Sequence, residues 1–279
     1  MGTARVGTAP YLLNTAGSAL AGSPLAFSHR GFAPDGAENT LKAFAAAHDL
    51  GFGYLETDVR ATRDGVLVVF HDEDLARLAG EKRKVADCTM AELSGLRIAG
   101  EPIPTFDQLL RAFPQAHFNV DVKDAASAAL LADAIAGHDA HSRVLVASFG
   151  GRRRRKVQHL LAGEGRPGPA VAASPGVMGT AAAVLLAKLG PLRLPRAAFR
   201  GLAALQVPER RGPIRVVTPR FISKAHAAGL QVHVWVVNEE SDMHRLLEMG
   251  VDGLMSDRAD ILARVMAERG CWPQNGQAG

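Results

Sequence analysis

The chain repeats one local pattern, in which an apolar helical segment ends at a glycine and a short apolar strand follows. The pattern occurs as TLKAFAAAHDLGFGYLETDV at residues 40–59, as SKAHAAGLQVHVWVV at residues 223–237, and as HRLLEMGVDGLMS at residues 244–256. Glycine readily adopts the left-handed backbone that ends many helices. Three such units indicate a repeated βα unit and therefore a parallel sheet.

Further apolar runs extend this pattern to about eight strands and eight helices. Additional strands are predicted at residues 25–29, 66–70, 117–122, 144–148, 171–173 and 205–207, and additional helices at residues 106–112, 126–137 and 152–161. Asn39 is predicted as the N-cap of the first helix. For a domain of this length, the count predicts a single (β/α)8 TIM barrel. The alternative is a doubly wound open sheet, which is disfavoured because no glycine-rich dinucleotide fingerprint follows the first strand.

The predicted domain organisation is an N-terminal lead-in at residues 1–24, a barrel at residues 25–268 and a C-terminal tail at residues 269–279. The apolar stretch in the lead-in is short and interrupted by polar residues, so a loose lead-in is favoured over a signal peptide. Cys88 and Cys271 lie far apart and form neither a disulfide framework nor a metal-binding pair. Together with the lack of a long uncharged apolar run, these features favour a cytoplasmic location.

Acidic side chains occur on two neighbouring predicted strands. Glu56 and Asp58 are two residues apart, so they project from the same face of their strand. Asp121 and Lys123 share a face of the strand in HFNVDVK. Buried carboxylates require a cation or hydrogen-bond partners. Because the carboxyl ends of barrel strands meet at one mouth, we expect these carboxylates to surround a hard divalent cation.

Two histidines are predicted at the same mouth. His29 ends the first strand, and His71 ends the apolar run VLVVF. Two imidazoles beside a cation suit phosphate-ester cleavage, since one takes a proton from the attacking oxygen while the other donates one to the leaving oxygen. Arg30 and Lys123 are predicted to hold the phosphate oxygens.

Several motifs resemble the glycerophosphodiester phosphodiesterase family. They are SHRG at residues 28–31, ENT at 38–40, ETDVRATRDGVLVVFHD at 56–72, NVDVK at 119–123, SF at 148–149, AAGLQVHVWVVN at 227–238 and GVDGLMSDRAD at 250–260. The resemblance implies a (β/α)8 barrel that binds Ca²⁺ or Mg²⁺ and hydrolyses glycerophosphodiesters to an alcohol and glycerol 3-phosphate. It also implies that a glycerol hydroxyl of the substrate attacks phosphorus first, giving a cyclic phosphate that water then opens.

The resemblance implies a role for each matching residue. His29 and His71 are the acid–base pair, Arg30 and Lys123 bind the phosphate, and Trp235 lines the substrate pocket. The implied metal ligands are Glu56, Asp58 and Asp121. The family often has Glu at the position of Asp121, whose side chain is one methylene shorter. The resemblance also implies a small insertion after the second strand region, here the short stretch at residues 73–104, and its shortness implies a site that is open to larger head groups.

Three alternative functions follow from the same residues. A lysophospholipase D would use the same site on a substrate with an acyl chain. A non-catalytic binding domain is disfavoured because both histidines and all three carboxylates are present. A zinc hydrolase with His29 and His71 as ligands is disfavoured because zinc sites are dominated by His and Cys.

The charge pattern indicates the kind of partner. The net charge is +4, and the run GRRRRK occupies residues 151–156. Few aromatic residues are available to stack on bases, so nucleic acid is not expected as a partner. The basic run and the apolar stretch after it are compatible with peripheral contact with an anionic membrane. The competing interpretation is a plain barrel helix that buries Val184, Leu185 and Leu189. The oligomeric state stays open.

Three further residues carry weaker expectations. His233 is predicted as a hydrogen-bonded core histidine, because it lies one pleat deeper than Trp235 on the same strand. Asp72 either orients His71 or caps the following turn. Glu38 is equally compatible with a structural role near the helix N-terminus and a role in the site.

Overall fold

The computed structural model describes residues 9–163, 168–189 and 194–276. Within them, eight parallel strands form a barrel: β1 (Leu25–His29), β2 (Tyr54–Ala61), β3 (His117–Val122), β4 (Val144–Ala147), β5 (Ala172–Ala173), β6 (Ala204–Val207), β7 (Gln231–Val234) and β8 (Gly253–Ser256). The strands are hydrogen-bonded in the order β5-β4-β3-β2-β1-β8-β7-β6. Between β5 and β6, the amide of Ala203 donates a 2.8 Å hydrogen bond to the carbonyl of Ala173. The predicted TIM barrel is confirmed as a nearly closed barrel.

Eight principal helices alternate with the strands. They are α1 (Leu41–Asp49), α2 (Phe106–Ala112), α3 (Ser127–Gly137), α4 (Gly151–Leu161), α5 (Val177–Lys188), α6 (Pro219–Ala227), α7 (Glu240–Met249) and α8 (Ala259–Glu268). Apolar side chains of the strands and helices form one large core between the two layers. Of the described helices, none combines the length and the apolar character that crossing a bilayer requires.

Local sequence signals explain where several helices begin and end. Thr105 and Gln108 form a reciprocal capping box at the start of α2. Thr218 caps α6, and Pro219 occupies its first turn, where a missing amide proton costs nothing. Gly250 ends α7 with a φ of 93°, a conformation that glycine adopts without strain.

The predicted strand at residues 66–70 is present but is not a barrel strand. Its ordered part, Leu67–Val69, pairs antiparallel with the end of β2, with Val59 opposite Val69. The strand β2 extends beyond the mouth, and the chain folds back along it. His71 therefore reaches the mouth on the returning arm of a hairpin, whereas the sequence prediction placed it at the end of a strand that runs with the others.

The insertion at residues 73–104 packs as a small layer beside the mouth. It contains the short helices Ala76–Ala79, Val85–Asp87 and Met90–Leu93, and the short strands Asp74–Leu75, Glu81–Lys84, Arg97–Ile98 and Glu101–Pro102. Buried side chains including Phe70, Leu75, Val85 and Leu93 form its own hydrophobic cluster. This cluster supports the loop that carries His71. The remaining short elements are Ala140–Ser142, Arg196–Phe199, Arg210–Arg211 and Ile214–Arg215.

The two ends of the chain cover the bottom of the barrel, opposite the mouth. Tyr11 is fully buried, and its carbonyl accepts a 2.7 Å hydrogen bond from the Tyr54 hydroxyl. Gln274 in the tail accepts a 2.9 Å hydrogen bond from the amide of Ala26. The described part of the lead-in is therefore packed, in contrast to the predicted loose segment. Residues 1–8, 164–167, 190–193 and 277–279 of the predicted segments lie outside the described residues.

Candidate active site at the barrel mouth

All eight residues that the sequence singles out line one cavity of about 710 Å³ at the carboxyl ends of the strands. They are His29, Arg30, Glu56, Asp58, His71, Asp121, Lys123 and Trp235. The pairing of β2 with β3 sets Asp58 directly opposite Asp121, because their Cα atoms are register partners. The acidic groups therefore lie together because side chains alternate along each of the two paired strands.

One ammonium group links two of the carboxylates. The Nζ of Lys123 lies 2.9 Å from Oδ1 of Asp58 and 2.7 Å from Oδ2 of Asp121. Burial opposes ionisation of Asp58, but Lys123 and Arg30 outweigh it and hold the pKa of this carboxyl below its ordinary value. Burial dominates at Asp121 and raises the pKa of its carboxyl despite Lys123.

Arg30 connects the remaining acidic groups. Its backbone has a φ of 57°, and its amide donates to a side-chain oxygen of Glu56 at 3.2 Å. Its guanidinium donates to Glu38 at 2.9 Å, and its Nε lies 3.1 Å from Oδ2 of Asp58. Burial, together with Asp58, raises the pKa of Glu56 to about 7. The structure thus places Glu38, whose role the sequence left open, in contact with the guanidinium of Arg30.

His29 is oriented by a residue that sequence reasoning missed. Its Nδ1 lies 2.6 Å from Oδ1 of Asp257, and Asp257 accepts a 3.0 Å hydrogen bond from the side chain of Asn238. Its Nε2 lies 3.7 Å from Glu56. Burial disfavours the charged imidazolium, but Glu56 and Asp257 outweigh it, so the pKa of His29 is raised. The fixed Nδ1 leaves Nε2 directed at the acidic end of the cavity.

His71 has a corresponding partner next to it in the chain. Its Nδ1 lies 2.6 Å from Oδ1 of Asp72, which settles the orienting role for Asp72. Asp72 also accepts a 2.6 Å hydrogen bond from Arg77, and this contact lowers the pKa of Asp72 to about 2. Arg77 in turn donates to Glu38 at 2.8 Å. Both histidines therefore have one nitrogen fixed by a carboxylate.

Asn39 is the clearest correction to the sequence analysis. The N-cap of α1 is Thr40, whose side chain accepts a hydrogen bond from the amide of Ala43. Asn39 is fully buried with a φ of 59°, donates to Oδ2 of Asp58 at 3.0 Å and accepts from the hydroxyl of Thr57 at 3.0 Å. Asn39 therefore supports β2, the strand that carries Glu56 and Asp58. The sequence feature that could have indicated this position is the residue type itself, because Asn tolerates the left-handed backbone conformation better than most residues.

His233 lies outside the cavity, as the sequence predicts. It is fully buried, and its Nε2 lies 3.0 Å from the side-chain oxygen of Gln231. Burial lowers the pKa of His233 to about 4. The side chain is therefore a neutral core histidine at neutral pH, packed against the ring of Phe27.

The donor set of the cavity fits a hard divalent cation. Glu56, Asp58 and Asp121 are all buried, and oxygen atoms are the ligands that Ca²⁺ and Mg²⁺ prefer. Oδ1 of Asp121 is buried without a hydrogen-bond partner, which is costly unless a cation contacts it. The three carboxylates lie beside two cationic side chains, Arg30 and Lys123.

The carboxylates of the cavity do not form a closed ligand cluster. Among the described residues, three ligand atoms within 4.8 Å of one another occur at Glu240, His244 and Glu268, on the surface of α7 and α8. In the cavity, Lys123 lies between Asp58 and Asp121. The cavity residues therefore match a cation in ligand type, and the ammonium of Lys123 bridges two of them.

The outer wall of the cavity is apolar. Trp235 is half-buried and lies edge-on to Phe149, with ring centroids 6.1 Å apart. One side of α5 lines the wall opposite the acidic residues. The interpretation of α5 as a helix that buries Val184, Leu185 and Leu189 is wrong for Leu185 and Leu189, which are exposed, whereas Val184 is partly buried against the core.

A parallel barrel with ionisable side chains at the carboxyl ends of its strands is the arrangement of an α/β-barrel enzyme. The chain matches the family model described as the glycerophosphoryl diester phosphodiesterase family over residues 29–261. A relative from Mycobacterium tuberculosis, named a probable glycerophosphodiester phosphodiesterase 2, is 40% identical over 253 residues, which are 90% of this chain and 94% of the relative. This chain belongs to the glycerophosphoryl diester phosphodiesterase family and is a phosphoric diester hydrolase.

Two more distant similarities cover most of the chain. A lysophospholipase D from Rattus norvegicus is 24% identical, and the match covers 82% of each chain. The solved structure of an Oleispira antarctica phosphodiesterase in complex with the product sn-glycerol-3-phosphate has a TM-score of 0.66 at 20% identity, over 88% of this chain and 97% of that one. The latter similarity supports the barrel fold.

Proposed function

We propose that this hydrolase cleaves glycerophosphodiesters to an alcohol and glycerol 3-phosphate, with a divalent cation and two histidines as acid and base. The observation that carries the proposal is the pair of imidazoles at the mouth, His29 and His71, each with Nδ1 at 2.6 Å from a carboxylate. A histidine held in this way keeps one tautomer and presents Nε2 to the substrate. The product complex of the Oleispira antarctica phosphodiesterase supports the choice of glycerol 3-phosphate as product.

The cavity residues divide the chemical work. Arg30 and Lys123 bind the phosphate oxygens, Arg30 through its planar fork and Lys123 as a point charge. One histidine removes the proton from the attacking oxygen, and the other protonates the leaving alkoxide. Trp235 contacts the organic part of the substrate at the rim. Glu56, Asp58 and Asp121 would hold Ca²⁺ or Mg²⁺, which supplies Lewis-acid stabilisation of the phosphate charge when bound.

The test is turnover of defined substrates by the purified protein. Glycerophosphocholine and glycerophosphoethanolamine are incubated with the protein in Ca²⁺, in Mg²⁺ or with a chelator, and released glycerol phosphate is measured. We expect turnover that depends on the metal and falls by at least about a hundredfold in His29→Ala and in His71→Ala. His159→Ala, an exposed histidine on α4, is the matched control. Unchanged turnover in both cavity variants contradicts the acid–base assignment.

Metal affinity separates the two possible roles of the histidines. Calorimetric titration of Ca²⁺ or Mg²⁺ into His29→Ala and His71→Ala should show affinity close to that of the unmodified protein, whereas Asp121→Asn should bind the ion more weakly. A collapse of metal affinity in either histidine variant would show that the histidine is a ligand.

We also propose that the mouth contacts an anionic membrane surface from the cytoplasmic side. Arg152 and Arg155 are exposed on α4, directly after the mouth, and the ring of Phe149 beside them is exposed. Basic residues and exposed apolar residues on one face suit an anionic interface. The free thiols of Cys88 and Cys271 support a reducing compartment. Failure of anionic liposomes to sediment the protein at low salt would remove the membrane proposal.

A further inference from the structure

The insertion at residues 73–104 places one arginine beside the active site without lining the cavity. Arg77 lies on the short helix Ala76–Ala79, and its guanidinium contacts two carboxylates that also lie outside the cavity lining. Its Nε and Nη2 donate hydrogen bonds to Asp72 at 2.6 and 3.1 Å. Its Nη1 and Nη2 donate to Glu38 at 3.0 and 2.8 Å. Both contacts are bidentate, a geometry that fixes the rotation of a carboxylate as well as its position.

Each of these two carboxylates holds one residue that does line the cavity. Asp72 lies 2.6 Å from Nδ1 of His71, and Glu38 accepts a 2.9 Å hydrogen bond from Nη1 of Arg30. The five side chains thus form a continuous series of contacts. His71 and Arg30 stand at its two ends in the cavity, and Arg77 stands in the middle. One guanidinium therefore connects the acid–base group with the group that binds phosphate.

The contacts of Arg77 determine position more than stability. Its side chain is 48% exposed, and an exposed ion pair contributes little to the free energy of unfolding. The two carboxylates are more enclosed, with 20% of Glu38 and 22% of Asp72 exposed. Burial raises the pKa of Glu38, but contacts with Arg77 and Arg30 outweigh burial and lower the pKa overall. Both carboxylates are therefore ionised at neutral pH and held at fixed angles.

The insertion fixes the backbone that carries Arg77. Leu75 is fully buried in the hydrophobic cluster of the insertion, and the amide of Ala76 donates a 3.0 Å hydrogen bond to the side chain of Asp74. The guanidinium is thus anchored from a layer outside the barrel. A carboxylate that is held at two points by this anchor keeps the imidazole ring of His71 at one angle, so Nε2 keeps its direction.

We propose that Arg77 is a positioning residue for the phosphodiesterase reaction, which directs His71 through Asp72 and the guanidinium of Arg30 through Glu38. The proposal rests on the proposed function of the same site. It gives the insertion a task in the reaction, since the insertion supplies the single guanidinium that sets two cavity groups relative to each other. Arg77 itself contacts neither substrate nor the reacting atoms, so its removal leaves the chemical groups of the cavity in place but less well oriented.

The first test compares two arginines of the insertion. Arg83 is the matched control, because it is exposed and its partners, Glu81 and Glu92, lie away from the cavity lining. We expect Arg77→Ala to lower kcat for glycerophosphocholine by about 10- to 100-fold, and Arg83→Ala to match the unmodified protein. Urea unfolding should give nearly the same midpoint for both variants, since both side chains are exposed. Equal kcat values in the two variants overturn the proposal.

Titration of inorganic phosphate tests the contact with Arg30 without turnover. Calorimetry should show that Arg77→Ala binds phosphate severalfold more weakly than Arg83→Ala, because the Arg30 guanidinium is less well held. Unchanged phosphate affinity overturns this half of the proposal. Failure of the unmodified protein to release glycerol phosphate would instead count against the proposed function, so the two failures are distinguishable.

Double variants show whether Arg77 acts through the two carboxylates. In an Asp72→Asn background, Arg77→Ala should cause little further loss of kcat, and in a Glu38→Gln background it should cause little further loss of phosphate affinity. Guanidinium ion, kept far below denaturing concentrations, should restore part of kcat to Arg77→Ala but not to the double variant with Asp72→Asn. Additive losses in both backgrounds, or equal rescue of the single and double variants, overturn the assignment.

Discussion

Replacing Asn39 tests whether Asp58 on β2 depends on a buried side chain that does not itself line the cavity. The side chain of Asn39 makes two buried hydrogen bonds, a donated one to Asp58 and an accepted one from Thr57. A hydrogen bond to an ionised group contributes about 2 kcal/mol and a neutral one about 1 kcal/mol. Asn39→Gly loses both without backbone strain, so we expect a loss of about 3 kcal/mol in the free energy of unfolding. That corresponds to a decrease of roughly 5 °C in the melting temperature for a chain of this size.

The comparison with alanine separates the hydrogen bonds from the backbone. At a φ of 59°, a residue with a Cβ and no polar side chain is strained by about 1 kcal/mol, so Asn39→Ala should be less stable than Asn39→Gly by that amount. Both variants should lose activity by about 10- to 100-fold because Asp58 is no longer held in place. Urea unfolding and turnover of glycerophosphocholine measure the two effects. If Asn39→Gly matches the unmodified protein in both, the supporting role of Asn39 is refuted.

Three further predictions concern other parts of the fold. Asp257→Asn should lower kcat by at least about a hundredfold, because His29 loses the carboxylate that orients it, with little change in KM or in the circular dichroism spectrum. A rise in KM of the same size would instead indicate that Asp257 binds substrate. The pKa of His233 is lowered to about 4, so this histidine takes up a proton on unfolding between about pH 6.5 and pH 4. Its contribution should lower the free energy of unfolding by about 2 kcal/mol from pH 7 to pH 5, and urea unfolding of His233→Gln should lack that contribution. Gly53→Ala should lower the melting temperature and expose the tail to protease, since its Cβ would overlap a backbone carbonyl of the C-terminal tail, whereas Gly137→Ala, with open space around it, should not.

The part of the site that depends on strand periodicity could be read from the sequence. Glu56 and Asp58 share a face because side chains alternate along any strand, and Asp121 joins them because β3 pairs with β2 in register. The helix–glycine–strand pattern similarly predicts the barrel. The alternation and the helix–glycine–strand pattern are local, so each is encoded within one segment of the chain, and the repeated βα unit then places β3 beside β2.

The rest depends on contacts that no local pattern encodes. His29 and Asp257 are 228 residues apart in sequence, and only closure of the barrel between β1 and β8 brings them together. Asn is common both at helix N-caps and in the left-handed backbone conformation, so the residue type alone predicted Asn39 as an N-cap. Only its spatial neighbours in the fold distinguish these two roles. The hairpin that returns His71 to the mouth has the same apolar composition as a barrel strand, so composition alone could not reveal its direction.

Under the proposed function, chemistry and substrate choice occupy different halves of the mouth. The ionisable residues stand on β1, β2, β3 and the hairpin next to them, where register and buried contacts such as that of Asn39 restrict change. The apolar wall stands on α5 and on the loops after β6 and β7, where Leu185 and Ile214 are half exposed and contribute little to the core. Substitutions in the wall should therefore alter which organic group the enzyme accepts at little cost in stability, whereas substitutions in the acidic half should affect the reaction itself. Relatives that share the motifs of the acidic half are then expected to differ in substrate mainly through the wall.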